Sequence, residues 1–480
     1  MSSQQVITEP VDGSVKQEGT TATGVASAAR VAASVSARRS LIRRCLSLFG
    51  VVSLSYLLGA AVLYFELPSS SFLHRAFEGG VAWYQVKFAS PRPEEHGPVT
   101  VGRFDKPDLT CDGFTLCMYG GGTRAVLIDM RGKVVHEWQV PFRKVWPNPP
   151  EHLHGPINDA AVYFNDGHLY PNGDLLVLVE GPADANNPST GYGLVKLDKD
   201  SHIIWKYPAN CHHDLDVGED GTIYALKNVL QKKLPPGLEH IPTPCLVDCV
   251  DVISPEGKPL KEIPILEAFK DSPAYAPLLC MLERPRRFGG AAPPGPMIPA
   301  FHLDMSRRDV LHTNAVKVLS RALAPKFPLF KAGQLLISPR HLDALAMLDP
   351  DSGKVVWAAR GPWSAQHDPT FLDNGHLLLF DNYGSPQGSR VLEYDPQTQA
   401  FPWSYPGENG TPFYSEVRGM CQRLPNGNTL IVNSVGGEFF EVTPGQEVVW
   451  SGSCGDVTIY RARRYSPEEL HFLKEDQRPR

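Results

Sequence analysis

Three histidines and an arginine occupy matching places in a repeated pattern. His213 precedes the turn glycine Gly221 by the same interval as His367 precedes Gly375, and His312 opens the corresponding strand of the segment between them (HTNAVKVL). Arg340, in the phrase ISPRH, closes the strand that follows His312. Read as strands, these segments set three imidazoles at one height with a guanidinium beside them. Two chemistries use such a set. Three imidazoles hold a metal ion with an open coordination position. Alternatively, one neutral imidazole is a nucleophile and the others, with the arginine, bind an anion. The arginine adds positive charge, which opposes a cation and suits an oxyanion that a planar guanidinium can grip at two points. His212 adjoins His213, and strand alternation turns it the opposite way. Asp214 and Asp368 each follow a histidine and are expected to point off-channel too. A single histidine at a strand start is more often a structural hydrogen-bond partner. Three at equivalent positions point to a polar site.

A repeated hairpin must carry these residues. The phrase is an apolar pair, a turn opened by Asp, Ser or Thr, and more apolar residues, usually closed by Trp. It centres on Asp129, Asp198, Ser254, Asp349, Asp395 and Thr443. Trp138, Trp205, Trp357, Trp403 and Trp450 close five copies, and Ile263 closes the third. Turn residues between β-branched and aromatic runs make each phrase a β-hairpin. A second phrase ends in a turn glycine before a short apolar strand, at Gly173, Gly221, Gly333, Gly375 and Gly427. A hairpin cannot bury its face alone, so repeats must stack. The expected fold is all-β, a six-bladed β-propeller of four-stranded blades over 101–465, with a tail at 466–480. The blade around Asp129 lacks a strand, which Asp456–Tyr465 can supply, closing the ring. The insertion from Leu266 to Leu311 is expected to hold a helix over Leu266–Leu282.

The chain opens on a basic region rich in Ser and Ala, expected to be disordered over 1–44. Cys45 to Phe65 carries no charge and is long enough to span a bilayer. Arg38, Arg39, Arg43 and Arg44 precede it and Glu66 follows, which orients the propeller to the extracytoplasmic side. The expected organisation is therefore a transmembrane signal anchor at 45–67, then a short helix and linker at 68–100. The scarcity of acidic residues before Phe65 also fits an organelle transit region. A net charge of −6 without a basic run in the body speaks against nucleic-acid binding. Cysteines beyond Cys45 permit disulfides, and pairs such as Cys111/Cys117 and Cys245/Cys249 fit an oxidising compartment. They do not match structural zinc spacing.

The series HHDLDV…DGTIYAL, HTNAV…LLISPRHLDALAMLD…GKVVWAA, QHDPTFLDNGHLLLFDN and VTIYRARRY resembles the arylsulfate sulfotransferase family over roughly Leu109 to Tyr465. The resemblance implies a six-bladed propeller that moves a sulfuryl group from an aryl sulfate to a phenol without a nucleotide donor, a metal or another cofactor. It implies that His367 is the nucleophile, that His312 and Arg340 bind the sulfuryl group, and that His213 is the remaining active-site histidine, placed to exchange a proton with the phenol. Asn314 matches the family pattern, and with His212 it completes the expected substrate-binding set. Trp363, Tyr383, Phe413 and Tyr414 are candidates for the apolar walls an aryl group needs. A metal-dependent, lactonase-like propeller hydrolase and a non-catalytic binding propeller are the competing readings.

Overall fold

The turn-opening residues act locally. Asp129 Oδ1 accepts the backbone N–H groups of Arg131 and Lys133, both at 2.9 Å, and Asp198 Oδ1 does the same for Asp200 and His202 at 2.8 Å. A carboxylate that bonds its own turn in this way fixes the hairpin before any long-range contact forms. The computed structural model describes residues 99–153, 157–183, 189–283, 309–386, 388–407 and 410–473. The basic region 1–44, the segment 45–67 expected to span a membrane and the proline-rich part of the insertion lie outside the described residues. Among the described residues no helix is long and apolar enough to cross a membrane.

Six antiparallel sheets follow one another around a ring. The first blade joins Phe114–Tyr119, Arg124–Ile128 and Val134–Gln139 to the C-terminal strand Ile459–Tyr465, which takes the inner place. Phe114 pairs with Tyr465 and Cys117 with Ala462, so the chain's end closes the ring as expected. Counting from the channel outward, the second blade starts at Tyr163–Leu169, the third at Cys211–Val217, the fourth at Thr313–Val318, the fifth at His367–Phe371 and the sixth at Met420–Arg423. The sixth blade departs from the four-stranded expectation. Thr100–Arg103 adds a fifth strand along its outer edge, paired with Ser453, Gly452 and Ser451. Both ends of the propeller chain are thereby tied down, and the edge that Val448–Ser453 would otherwise expose is covered.

Each blade is apolar on both faces because each face meets a neighbour. In the second blade, Leu175, Val177 and Val179 pack toward the first blade, whereas Leu176 and Leu178 pack toward the third. The core is therefore six inter-blade layers rather than one centre. Burying each such leucine stabilises the ring by about 1.5–3 kcal/mol. The closing tryptophans latch blade to blade. Trp138 Nε1 donates to Gly173 O, Trp205 to Pro255 O, Trp403 to Pro444 O and Trp450 to Met130 O, all at 2.9–3.1 Å. Each bond runs from one blade's fourth strand to the next blade's turn, the last crossing from the sixth blade to the first.

Two local expectations need correction. The helix expected over Leu266–Leu282 is broken: an α-helix covers only Ile265–Lys270, and a 3-10 segment covers Ala276–Glu283. Ser272 and Pro273 follow the first segment, and proline disfavours the helical region for the residue before it. The cysteines form no disulfide among the described residues. Cys117, Cys211, Cys245, Cys249, Cys421 and Cys454 are free, buried thiols that pack as small apolar groups.

Candidate active site

The inner strands of the third, fourth and fifth blades are irregular near the channel mouth remote from the glycine turns. Their registers shift between Ala225 and Lys227, between Thr313 and Val316, and between His367 and Thr370. His213 (φ 60), His312 (φ 48), Asp368 (φ 47) and Arg418 (φ 60) all adopt the left-handed backbone conformation. This region is rare for residues other than glycine and costs on the order of 1–3 kcal/mol at each position. Bulges of this kind re-aim side chains beside functional sites.

The four expected residues come together. The His213 and His312 rings meet edge to face, with centroids 4.7 Å apart. Arg340 follows the strand Leu335–Pro339, and its N–H reaches His312 O at 3.3 Å, so both belong to the inner pair of the fourth blade. His367 lies across the blade boundary, 7 % exposed, where it feels the charge of Arg340 and then of His312. Burial, followed by those charges, holds the His367 imidazole well below the usual histidine range. His213 is held low by burial, then by His312, His212 and Arg418. Both rings are therefore neutral near pH 7.

Hydrogen bonds fix the His367 tautomer. Its Nδ1 faces Asn382 Oδ1 at 2.7 Å and Ala365 O at 2.9 Å. The Asn382 amide is itself oriented, because Nδ2 donates to Ser415 O and Arg418 O at 2.9 and 2.8 Å. Two acceptors at Nδ1 require a proton there, which leaves Nε2 with its lone pair. Sequence reasoning missed Asn382. The signal was present: Glu180, Asn228, Arg340 and Asn382 each follow a turn glycine at the same interval. That shared position, on the second strand or just past it, is polar in every one of these blades.

The Arg340 guanidinium is deeply buried, and burial lowers its pKa. Among the described residues no side-chain hydrogen bond or ion pair holds it, and Nε is buried without a partner. A desolvated, unpaired cation is costly in a folded protein unless an anion joins it.

The two expected binding residues have supporting positions. Asn314 Nδ2 donates to Gln366 O at 2.8 Å, which ties the fourth blade to the strand carrying His367; its Oδ1 is buried without a partner. Gln366 grips Ser338 Oγ and Ala344 O in return, at 3.0 and 2.8 Å. His212 is buried behind His213, with Nδ1 on the Nδ1 of His213 at 2.5 Å and Nε2 3.6 Å from Asp248. Of the expected aromatic walls, Tyr383 and Tyr414 meet edge to face at the rim. Trp363 is buried in the layer between the fourth and fifth blades, and Phe413 packs with the layer between the fifth and sixth. A pair that the sequence reading overlooked stands opposite. Tyr163 and Tyr460 stack with centroids 4.1 Å apart, and the Arg418 guanidinium lies 4.6 Å over Tyr460.

Asp214 and Asp368 do not point off-channel. The left-handed residues at His213 and Asp368 break strand alternation and turn both carboxylates into the channel. There Arg461, from the closing strand, pairs with Asp166 at 2.5 Å, Asp214 at 3.1 Å and Asp368 at 3.2 Å. Lys317 adds a second cation to Asp214 at 2.7 Å. For Asp166, burial raises the pKa, but Arg461 and the surrounding hydrogen bonds outweigh it and leave the group at about 2. This ionic cluster joins the inner strands of the first five blades, so the strands that carry the histidines are tied together across the channel. Among the described residues no three His, Cys, Asp or Glu side chains are arranged to hold a metal ion.

Fold and site together define a propeller whose chemistry is gathered at one mouth. The arylsulfotransferase (ASST) family model matches residues 168–455, more than half of the chain, and the protein belongs to that family. No curated protein matches the chain. Solved structures that resemble it include a protein of unknown function from Bacteroides caccae, 12% identical with a TM-score of 0.44 over 72% of this chain and 97% of that one. A streptogramin B lyase is 11% identical, with a TM-score of 0.36 over 73% and 86%. A virginiamycin B lyase from Staphylococcus aureus is 10% identical, with a TM-score of 0.38 over 75% and 98%. Likenesses at this level carry no argument about activity.

Proposed function

We propose that this member of the arylsulfotransferase family moves a sulfuryl group from an aryl sulfate to a phenolic acceptor, without a nucleotide, by way of a covalent intermediate on His367. One observation carries this reading: a neutral imidazole with its proton held on Nδ1 sits beside a buried guanidinium that, among the described residues, has no side-chain hydrogen bond or ion pair. Nε2 of His367 attacks sulfur, the S–N bond forms and the S–O bond to the aryl group breaks. Nδ1 keeps its proton, so the sulfated ring is cationic, and the two oxygens at Nδ1 stabilise that charge. Arg340 and His312 face the sulfuryl oxygens where negative charge is concentrated, which is electrostatic preorganisation. A phenolic acceptor then attacks the same sulfur and releases His367. Tyr383, Tyr414 and the Tyr163–Tyr460 stack offer ring faces to the aryl groups on either side of the site.

The activity is tested by incubating purified protein with a chromogenic aryl sulfate and a phenol, with no nucleotide present. Release of the chromogenic phenol that depends on the acceptor, with parallel double-reciprocal lines, supports the reading. Absence of turnover without nucleotide sulfate, and turnover with it, contradicts it.

The same proposal places the enzyme in a membrane by residues 45–67, with 1–44 cytosolic and the propeller extracytoplasmic. The uncharged run and the arginines ahead of it support this. Protease added to sealed vesicles tests it: a propeller digested without detergent has the opposite orientation.

A further inference from the structure

We propose that Gln366 and Asp343 are positioning residues that hold the strand carrying His367 against the turn carrying Arg340, and so set the gap between imidazole and guanidinium. The inference rests on the sulfuryl-transfer reading and deepens it. His367 and Arg340 belong to different blades, so no strand pairing fixes their separation. A misplacement of about 1 Å in such a site costs about 10²-fold in rate, so the separation has to be held by other bonds.

Residues 364–366 lead directly into His367, and each of them is bonded to the segment 338–344 that carries Arg340. Ser364 Oγ donates to Asp343 Oδ1 at 3.2 Å, and the Ala365 N–H donates to the same oxygen at 2.8 Å. Gln366 Nε2 donates to Ser338 Oγ at 3.0 Å and to Ala344 O at 2.8 Å. These bonds fall on both sides of Arg340 in the chain, since Ser338 precedes it and Asp343 and Ala344 follow it. Asn314 Nδ2 adds a further hold by donating to Gln366 O at 2.8 Å. Ser338 and Gln366 are fully buried, so water does not compete for their bonds.

The clamp is tied at both ends to the reacting groups. The Asp343 N–H donates to Arg340 O at 3.2 Å. Ala365 O accepts from His367 Nδ1 at 2.9 Å. Through the Ala365 peptide, Asp343 therefore holds a carbonyl that keeps the ring proton on Nδ1. Asp343 (φ 47) and Ala365 (φ 56) are both left-handed, a conformation that persists outside glycine only where surrounding contacts enforce it. Gln366 is a poor choice for packing alone, because its Oε1 is buried without a partner. Its orientation is fixed nonetheless: the flipped amide would set oxygen against the Ala344 carbonyl. Among charged groups Arg340 acts most strongly on His367, so a change in the gap is felt at the ring.

The test has two arms on the full chain. The first measures binding of inorganic sulfate by calorimetry, at a temperature where every variant is folded. Gln366→Met removes the donor together with the unpartnered oxygen, so the fold should survive. It should weaken sulfate by about fivefold, and Asp343→Ala should do the same. Asp343→Asn should stay within about twofold of the wild type, because its amide oxygen accepts the same two bonds. Charge alone acts the other way, since losing the Asp343 carboxylate near Arg340 favours an anion. Unchanged or tighter binding in Gln366→Met or Asp343→Ala overturns the inference, and so does an equal loss in Asp343→Asn and Asp343→Ala. Wild-type protein that binds no sulfate removes the anion site and the inference with it. The second arm follows single-turnover transfer from 4-nitrophenyl sulfate. In Gln366→Met the rate at saturating donor should fall by about 10²-fold, more than the affinity does, because alignment of the nucleophile counts only in the transition state. A loss confined to the half-saturating concentration overturns the inference. Failure of the sulfuryl-transfer reading shows itself separately, as wild-type protein that binds sulfate and transfers nothing.

Discussion

Nδ1 of His367 lies 2.7 Å from Oδ1 of Asn382, and that contact decides which ring nitrogen can act as a nucleophile. The asparagine accepts from the ring because both of its own N–H groups are spent on backbone carbonyls of the fifth-to-sixth blade connection. A residue on the second strand of a blade thus sets the protonation pattern of a residue on the first.

Asn382→Leu keeps the bulk of the side chain and removes the acceptor. Sulfuryl transfer to His367 should slow by about 10²-fold or more, because the ring can then expose its protonated nitrogen to the donor. The carbonyls of Ser415 and Arg418 lose their donor, so stability should fall by about 1–3 kcal/mol. Single-turnover kinetics and urea unfolding measure the two effects separately. An unchanged transfer rate contradicts the tautomer argument.

The pH profile follows from the same ring. Burial first, and Arg340 second, hold the His367 imidazole down, so its neutral form persists at pH values where an ordinary histidine, with a pKa of about 6.5, is protonated. With a donor whose phenolate leaves readily, the acid limb of kcat/KM should lie well below that value. Removing the Arg340 charge by Arg340→Gln should move the limb upward in whatever activity remains. An acid limb at or above the ordinary histidine value contradicts the placement of the nucleophile in this site.

Arg340 trades stability for function. Its guanidinium is desolvated and, among the described residues, has no side-chain hydrogen bond or ion pair, so Arg340→Met should leave thermal stability unchanged or raise it. The same variant should lose sulfuryl transfer by about 10³-fold, as removal of a preorganised charge from a transition state does. Arg340→Lys should also lose much of the rate, because a point charge replaces the planar fork. A marked drop in melting temperature for Arg340→Met shows that the guanidinium is structurally paired and contradicts the anion site.

The channel cluster makes a separate forecast. Arg461→Met leaves the buried carboxylates of Asp166, Asp214 and Asp368 short of a cation, and unfolding free energy should fall by about 3–5 kcal/mol. Because Arg461 sits on the closing strand, the loss should appear as early opening of Ile459–Tyr465 in amide exchange. Protection of that strand equal to the wild type contradicts the role given to the cluster.

Much of this arrangement was legible from repeats. Hairpin phrases with aspartate turns and closing tryptophans identify six blades because each copy must solve the same packing problem. Equal spacing to turn glycines brings His213 and His367 to one height, and Arg340 follows from its place after His312. Side-chain direction was legible only where the strands are regular. Asp214 and Asp368 were misdirected because left-handed residues interrupt alternation, and nothing in a histidine or an aspartate announces φ near +50°. Asn382 was readable in principle from the interval it shares with Arg340. The fifth strand of the sixth blade was hidden because Thr100–Arg103 pairs with residues at the far end of the chain.

The central claim is a covalent sulfuryl group on His367, and mass spectrometry of protein quenched with aryl sulfate in the absence of acceptor tests it most directly. The peptide containing Gln366-His367-Asp368 should gain one acid-labile sulfuryl group, lose it on adding a phenol, and stay unmodified in a folded His367→Asn protein. A sulfuryl group found on another residue, or one that persists in His367→Asn, contradicts the account.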